Sequence, residues 1–423
     1  MIRLVGGRIL DPASGRDEIG DVFVEDGRLV EKMTHPGETV IDVSGFVVAP
    51  GFVDLHCHLR EPGFEDAETI ATGTRAAAAG GFTTVCALAD TRPSTDTGSD
   101  VEALLTQALR DAVVRVLPMG TTTKQRDGLE LSEMADMAGA GAVAFSDDGR
   151  AVRSASLMRH ALEYSLLVER PISSHAQDPD LAEGGVMHEG PLATVLGLKG
   201  IPREAEEIAA GRDLALARLT GGRLHLAHLS TAGAVAQIRR AKAEGVRVTA
   251  EVAPHNLALS EVAITDGPYN TNARTDPPLR SPEDAAALIE GVRDGTIDCI
   301  VSDHSPRRWV DKACEFDQAL PGISGLETAF GLLMRLVHGG AISLVELIAA
   351  LTHRAASAWD LPYGTLAAGA PADVVVLDPE QAWVVDPERF LSKGKNSPLG
   401  GQTLRGTVLL TLAQGSIAYR NGL

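Results

Sequence analysis

Three features of the sequence predict an α/β fold, a TIM-like (β/α)8 barrel with a small β-sandwich domain built from both chain ends. Between residues 51 and 364, apolar strand-like segments alternate with amphipathic helical ones, eight strands in all. The two ends, 1–50 and 365–423, instead read as short strands joined by turns. Residues able to bind metal gather at the C-terminal ends of the barrel strands, where such barrels carry their chemistry. A chain of 423 residues is long enough for both units.

In order, the first fifty residues supply the strand-like runs IRLVGGRIL, DVFVEDGRLV and TVIDVSGFVVAP, with Asp26-Gly27 as a hairpin turn. Barrel strands are predicted at 52–58 (FVDLHCH), 82–88, 113–119, 142–146, 171–175, 223–228, 246–252 and 298–302. Helices are predicted over 66–79, 99–110, 154–168, 203–219, 231–243 and 282–293. Gly80-Gly81 stops the first of these after an alanine run. Ser281-Pro282-Glu283-Asp284 starts the last, with proline at the first helical position. After 364, ADVVVLDP, QAWVVDP and GTVLLTLAQGSIAYRNG return to strands and hairpins, so both ends are expected in one β domain.

Composition narrows the function classes. At 44% hydrophobic and 22% charged the chain reads as an ordinary globular protein. Its net charge of −19, with acidic residues scattered, argues against nucleic acid or an anionic membrane as partner and leaves a small-molecule substrate. Cys57, Cys86, Cys299 and Cys314 form no C-x-x-C pair, which fits a reducing, cytoplasmic setting. MIRLVGGRILDPASG has no basic stretch followed by a long apolar run, so no signal peptide is expected. No apolar run approaches the ~18 residues of a membrane span.

The chemistry centres on GFVDLHCHLREPG, 51–63. Side chains alternate across a strand, so His56 and His58 share a face, about 6–7 Å apart, and can converge on one metal ion. Arg60 has the same parity and offers a planar cation for a carboxylate. An isolated H-x-H is more often core or rim than a ligand pair; its company decides. Strand 4 ends in Asp147 and Asp148, strand 5 in His175, strand 6 in His228, and strand 8 in Asp303 and His304. Buried charge is costly unless paired or metal-bound, so this alignment of strand ends is hard to explain as packing. His56, His58, Asp148, His175, His228 and Asp303 suit two divalent ions sharing one carboxylate. Such a pair, about 3.5–4 Å apart, can bridge a water, lower its pKa and polarise a carbonyl. Asp303 is then placed to take the water's proton and hand it to a leaving nitrogen, and a nearby cation keeps it ionised. Singly, each has a blander reading: Asp147-Asp148-Gly149 as a turn, His175 as a rim residue. His225, on the opposite parity from His228, reads as structural. His255 stays unassigned, and His35, His160, His188, His338 and His353 read as surface or helix residues.

With the motifs PGFVDLHCHLREPG, AFSDDG, SSHAQD, EGPLATVLGLKGIPREAEE, LHLAHLSTAG, DPPLR, IDCIVSDHSP and LPGISGLETA, the chain resembles the dihydroorotases of the amidohydrolase superfamily, bacterial class I type, along nearly its whole length. The H-x-H-x-R form separates it from hydantoinases and allantoinases, which lack that arginine. Many relatives bridge their metals with a carboxylated lysine; strand 4 offers none, and Asp148 matches the bridging aspartate of class I. The resemblance implies zinc and the reversible closure of N-carbamoyl-L-aspartate to (S)-dihydroorotate in pyrimidine synthesis. It implies a backbone contact from Pro321 and Gly322 to the substrate ring. It leaves open a homodimer and a complex with aspartate transcarbamoylase.

Three substrate-facing positions depart from the family pattern. Asp90 stands for the asparagine of M-P-N-T, Asp276 for the asparagine before P-P-L-R, and Arg307 for the last histidine of D-H-A-P-H. An added anion near a substrate carboxylate costs affinity unless a cation compensates. Arg307 is the candidate, either by pairing with Asp90 or by taking the substrate carboxylate beside Arg60. Three readings follow: a dihydroorotase with a compensated pocket, a cyclic amidohydrolase with another substrate, or a non-catalytic partner of aspartate transcarbamoylase. The presence of all six ligands weighs against the last. The polar stretch 305–322, SPRRWVDKACEFDQALPG, with Trp309 and Phe316, is expected to close over the substrate.

Overall fold

The structure, a computed structural model, describes residues 1–32, 39–267 and 269–423. His35 lies outside them. Barrel strands form at Phe52–Cys57, Phe82–Ala87, Arg115–Pro118, Ile172–Ser174, Leu224–Leu226, Val248–Val252 and Cys299–Ile300, and each paired neighbour runs parallel. The segment 142–146 takes the fourth place without forming a regular strand: Phe145 bridges Gly120 on one side and Ile172 on the other. Ser146 N donates to Gly120 O and Ser173 N to Phe145 O, at 2.9 and 2.8 Å. The ring closes where Cys57 bridges His304 and His58 N donates to His304 O at 2.9 Å. The eight predicted segments therefore make one closed barrel.

The ladders are shorter than predicted, and all but Val248–Val252 stop short at the C-terminal end. His58, His175, His228 and Asp303 lie one to three residues beyond the last ladder residue of their strands. There the backbone turns out of the sheet. Arg60, His228 and Asp303 take left-handed φ values of 61°, 31° and 45°, a conformation that costs a side-chain-bearing residue and is typical of functional sites.

Helices pack around the ring at Ile70–Ala79, Gly98–Asp111, Ala155–Val168, Glu204–Thr220, Ala232–Ala243 and Pro282–Arg293. The first begins later than 66 because Thr69 is its cap: the Thr69 hydroxyl accepts from Thr72 N at 3.1 Å. The last begins as predicted, capped by the Ser281 hydroxyl. Ala329–His338 and Leu344–Leu351 are not singled out by the sequence pattern, because their apolar residues are dense enough to blur the helical period. No described helix is long and apolar enough to cross a membrane.

Both chain ends enter one eight-stranded sheet. Its order is Ser416–Arg420, Thr403–Ala413, Val374–Val384, Val47–Pro50, Ile2–Asp11, Arg16–Glu25 and Arg28–Val30, with Thr39–Asp42 also on Ile2–Asp11. Ile2–Asp11 pairs with Thr39–Asp42 through Ile2 to Val5 and with Val47–Pro50 through Arg8 and Ile9. A register shift separates the halves. Gly6 sits in it at φ +76°, where a Cβ would lie 2.4 Å from the Ser44 hydroxyl. The sheet folds over Leu4, Ile9, Val24, Val48, Val374, Val376, Leu410 and Leu412, which gives the sandwich.

Candidate active site

The strand ends bring the metal-binding candidates together in two groups that share Asp148: His56, His58 and Asp148, and Asp148, His175 and His228. His56 Nε2 lies 3.5 Å from Asp148 Oδ1 and 3.8 Å from Asp303 Oδ1. His58 Nε2 lies 3.6 Å from Asp148 Oδ2. His228 Nε2 is 3.1 Å from Asp148 Oδ1 and 3.0 Å from His175 Nδ1. Ligand atoms at about 2.1 Å from a tetrahedral cation sit about 3.4 Å from one another, so this spacing fits donors gathered round cations. The buried His56 Nε2 makes no hydrogen bond of its own, which is the state of a nitrogen reserved for a metal.

His56 and Asp303 are held from behind. His56 Nδ1 meets Glu251 Oε1 at 2.7 Å, and the other Glu251 oxygen meets His225 Nε2 at 2.9 Å. This explains a buried His225 that reaches no metal position, and it fixes which His56 nitrogen faces the centre. Asp54 accepts from Ser302 N at 2.8 Å and His56 N at 3.3 Å. Burial pushes the Asp54 carboxyl up to about 7 against those bonds. Asp147 is turned away, accepting from Thr122 N and Thr123 N at 2.9 and 3.0 Å, so only Asp148 of the pair reaches the centre. Asp303 stands beside the first group with Oδ2 3.3 Å from His255 Nε2. His304 does not join: its Nε2 faces Glu68 at 3.3 Å and its Nδ1 accepts from Gly325 N. His188 is buried rather than at the surface, its Nδ1 3.3 Å from Arg280.

Charge follows this arrangement. Burial would raise the Asp148 carboxyl, but His56 and hydrogen bonds from His175 and His228 hold it well below the usual carboxylate range. Burial likewise opposes ionisation of Asp303, and the hydrogen bond from His255, with His56 nearby, outweighs it. Both are acceptors at neutral pH.

Above this centre opens a cleft of about 740 Å³ lined by His58, Arg60, Asp90, Asp276, Asp303, Arg307, Pro321 and Gly322 among others. Arg60 pairs with Asp90 and donates to the Ser305 hydroxyl at 2.8 Å. Asp90 Oδ1 is also 2.9 Å from His58 Nδ1. Burial opposes its charge, but His58 and Arg60 hold the carboxyl far below its usual range. Asp276 accepts from Gln177 at 3.1 Å. Arg307 does not pair with Asp90, the first of its two expected roles. Its Nε donates to Pro321 O at 2.7 Å, and burial beside Arg60 lowers its pKa to about 9. The 305–322 stretch lines one side of the cleft and is packed down elsewhere: Phe316 is buried against Val186, Met187 and Leu279, and Lys312 donates to Thr271 O at 3.0 Å.

The family model "Dihydro-orotase-like" matches residues 45–234. A dihydroorotase of Anaeromyxobacter sp. (strain K) is 49% identical over 421 residues, 99% of this chain and 97% of that one. One of Syntrophus aciditrophicus (strain SB) is 46% identical over 424 residues, 99% of each. The chain belongs to the dihydroorotase family. Among solved structures it is similar to an L-hydantoinase (dihydropyrimidinase) from Arthrobacter aurescens, with a TM-score of 0.88 and 25% identity over 100% of this chain and 96% of that one. A D-hydantoinase from a Bacillus sp. AR9 gives 0.83 and 26%, covering 99% and 95%. The H-x-H, the aspartate pair and the separate histidines of this chain were legible as metal-binding candidates from their strand-end positions. Glu251, His255, Gln177 and Asp54 were not: each acts through a partner remote in sequence, and no spacing announces it.

Proposed function

We propose that this chain opens the ring of (S)-dihydroorotate to N-carbamoyl-L-aspartate and closes it again, a hydrolase of the cytoplasm serving pyrimidine synthesis. The reading is carried by two histidine–aspartate groups sharing Asp148 at the floor of a cleft that also holds Arg60 and Arg307. His56, His58, Asp148 and Asp303 would hold one divalent ion, and Asp148, His175 and His228 a second, zinc in both places. When bound, the ions supply Lewis acidity, lowering the pKa of water and polarising a carbonyl.

The residues of this chain do the rest. Asp303, ionised and steered by His255, accepts the proton of the attacking water as its oxygen bonds to the ring carbonyl carbon. The C–N bond breaks, and Asp303 delivers that proton to the departing nitrogen; closure retraces the path. The substrate carboxylate falls to the arginines. Asp90 already neutralises much of Arg60, whereas Arg307 forms no ion pair among the described residues. Arg307 is therefore the principal anchor, Arg60 its neighbour, with Pro321 and Gly322 presenting backbone to the ring and Asp276 lining the cleft beside His175. Of the two carboxylates that stand for the family's neutral amides, Asp90 is thus balanced by Arg60, and Asp276 is met by the Gln177 amide.

The test is turnover by the purified, metal-replete protein on dihydroorotate in both directions, beside dihydrouracil, hydantoin and allantoin. Dihydroorotate is expected to give the highest kcat/KM. Preference for a ring without a carboxylate would transfer the assignment to another cyclic amide, the reading that Asp90 and Asp276 would favour.

A further inference from the structure

Asn396 belongs to the C-terminal part of the chain, beyond the barrel helices, and is 4% exposed. It does not line the substrate cleft, yet its side chain uses its full hydrogen-bonding capacity on residues that do, or that adjoin them. Its Nδ2 donates to Ser305 O at 3.0 Å and to Gly322 O at 2.9 Å. Its Oδ1 accepts from Arg307 N at 2.9 Å and from the Ser324 hydroxyl at 2.8 Å. Its own carbonyl accepts from Ser324 N at 2.9 Å. One amide therefore ties the segment leaving barrel strand 8 to the segment that returns at 322–324. Between them these segments carry Ser305, which receives Arg60, and the Arg307–Pro321 contact.

The stretch around Asn396 is itself fitted to this place. A Cβ on Gly394 would lie 2.5 Å from the Pro306 side chain and 2.6 Å from the Ser324 hydroxyl, so only glycine lets the backbone approach so closely. The Ser392 hydroxyl and Lys393 N both reach the buried Glu68, the carboxylate that also faces His304 beside Asp303. Residues 392–396 thus meet the strand 8 loop directly through Gly394 and Asn396, and through Glu68 and His304 from Ser392 and Lys393.

We infer that residues 392–396 are a positioning clasp for the substrate pocket, and that Asn396 sets where Arg307 and the Pro321-Gly322 backbone meet the substrate. Asn396 is a positioning residue, since it touches neither substrate nor metal ligand. The kinetic arm of the test rests on the dihydroorotase reading; a second arm does not.

Asn396→Ala and Asn396→Asp address it, the second keeping the acceptors while losing both donors. Each is expected to raise KM for dihydroorotate at least tenfold while kcat falls less, with bound metal and Tm close to wild type. Hydrogen exchange is expected to quicken at the amides of 305–324, Arg307 and Ser324 above all, and to stay unchanged across the other barrel strands. Wild-type KM with wild-type exchange overturns the inference. So does a fall in Tm and active fraction at unchanged KM, the signature of a purely structural residue. Should both variants fail to fold, Gly394→Ala presses the clasp off Pro306 and is read the same way. A wild-type protein inactive on dihydroorotate would sink the functional reading alone, and the exchange comparison would still decide the clasp.

Discussion

Asp303 sits at φ 45°, held by the turn out of strand 8 and by the His255 contact at 3.3 Å. A backbone state of this kind costs on the order of 1–3 kcal/mol, and here it aims a carboxylate at the mouth of the barrel. Replacing it by asparagine keeps shape and most hydrogen bonding but removes the proton acceptor. Asp303→Asn is expected to lower kcat by about 10²–10⁴, the usual range for a lost general base. Five other ligands remain, so metal content should stay near two per chain by elemental analysis. Turnover within a few-fold of wild type would remove Asp303 from the mechanism. At this scale the sequence was most readable where period and strand end coincide, as at His56 and His58. It was silent on Glu251, because the carboxylate that orients His56 comes from a strand far along the chain and resembles any buried glutamate until the barrel closes.

Helix starts marked by a cap and a proline were legible to the residue, as Ser281 and Pro282 show, whereas the Thr69 cap, without such a proline, was missed by four residues. Strands were less so, because ladder and active-site loop share one run of apolar and polar residues. In 142–146 the chain leaves the ladder almost at once so that Asp147 can reach Thr122 and Thr123 while Asp148 turns inward. A contact between elements offers a sharper test. Glu327, just before the helix Ala329–His338, accepts from Leu391 N and Ser392 N at 3.0 and 3.1 Å. Burial lifts its carboxyl from 4.5 to about 7. With the folded value above the unfolded one, the folded state keeps a proton that the unfolded state has lost between those pH values. Stability from this group therefore falls as pH rises from about 4.5 to about 7, by on the order of 3 kcal/mol at full size. Glu327→Gln mimics the protonated form. Urea unfolding at the two pH values should show the variant gaining on wild type as pH rises; a difference that is flat with pH would show that the carboxyl titrates normally in the fold.

Remote parts of the chain are joined twice, once where Cys57 meets His304 and closes the barrel and once where Val47–Pro50 meets Val374–Val384 in the middle of the sheet. That both ends share a sheet was readable from strands and turns alone. The double pairing of Ile2–Asp11 and the reach of Asn396 into the barrel were not, since each depends on where two remote segments come to rest. The six proposed ligands come from five barrel strands, so metal binding and barrel integrity are linked. An ion that binds only the folded chain stabilises it by about 4 kcal/mol at a thousandfold excess over Kd. Removing metal with a chelator is therefore expected to abolish turnover and also to lower Tm by several degrees. Zinc, cobalt or manganese should restore both together, because histidine and aspartate ligands accept any of these ions. The paired readout matters: turnover that survives in protein stripped of metal would end the two-ion reading, and lost turnover with an unmoved Tm would place the ions outside the strand ends that His56, Asp148, His175, His228 and Asp303 occupy.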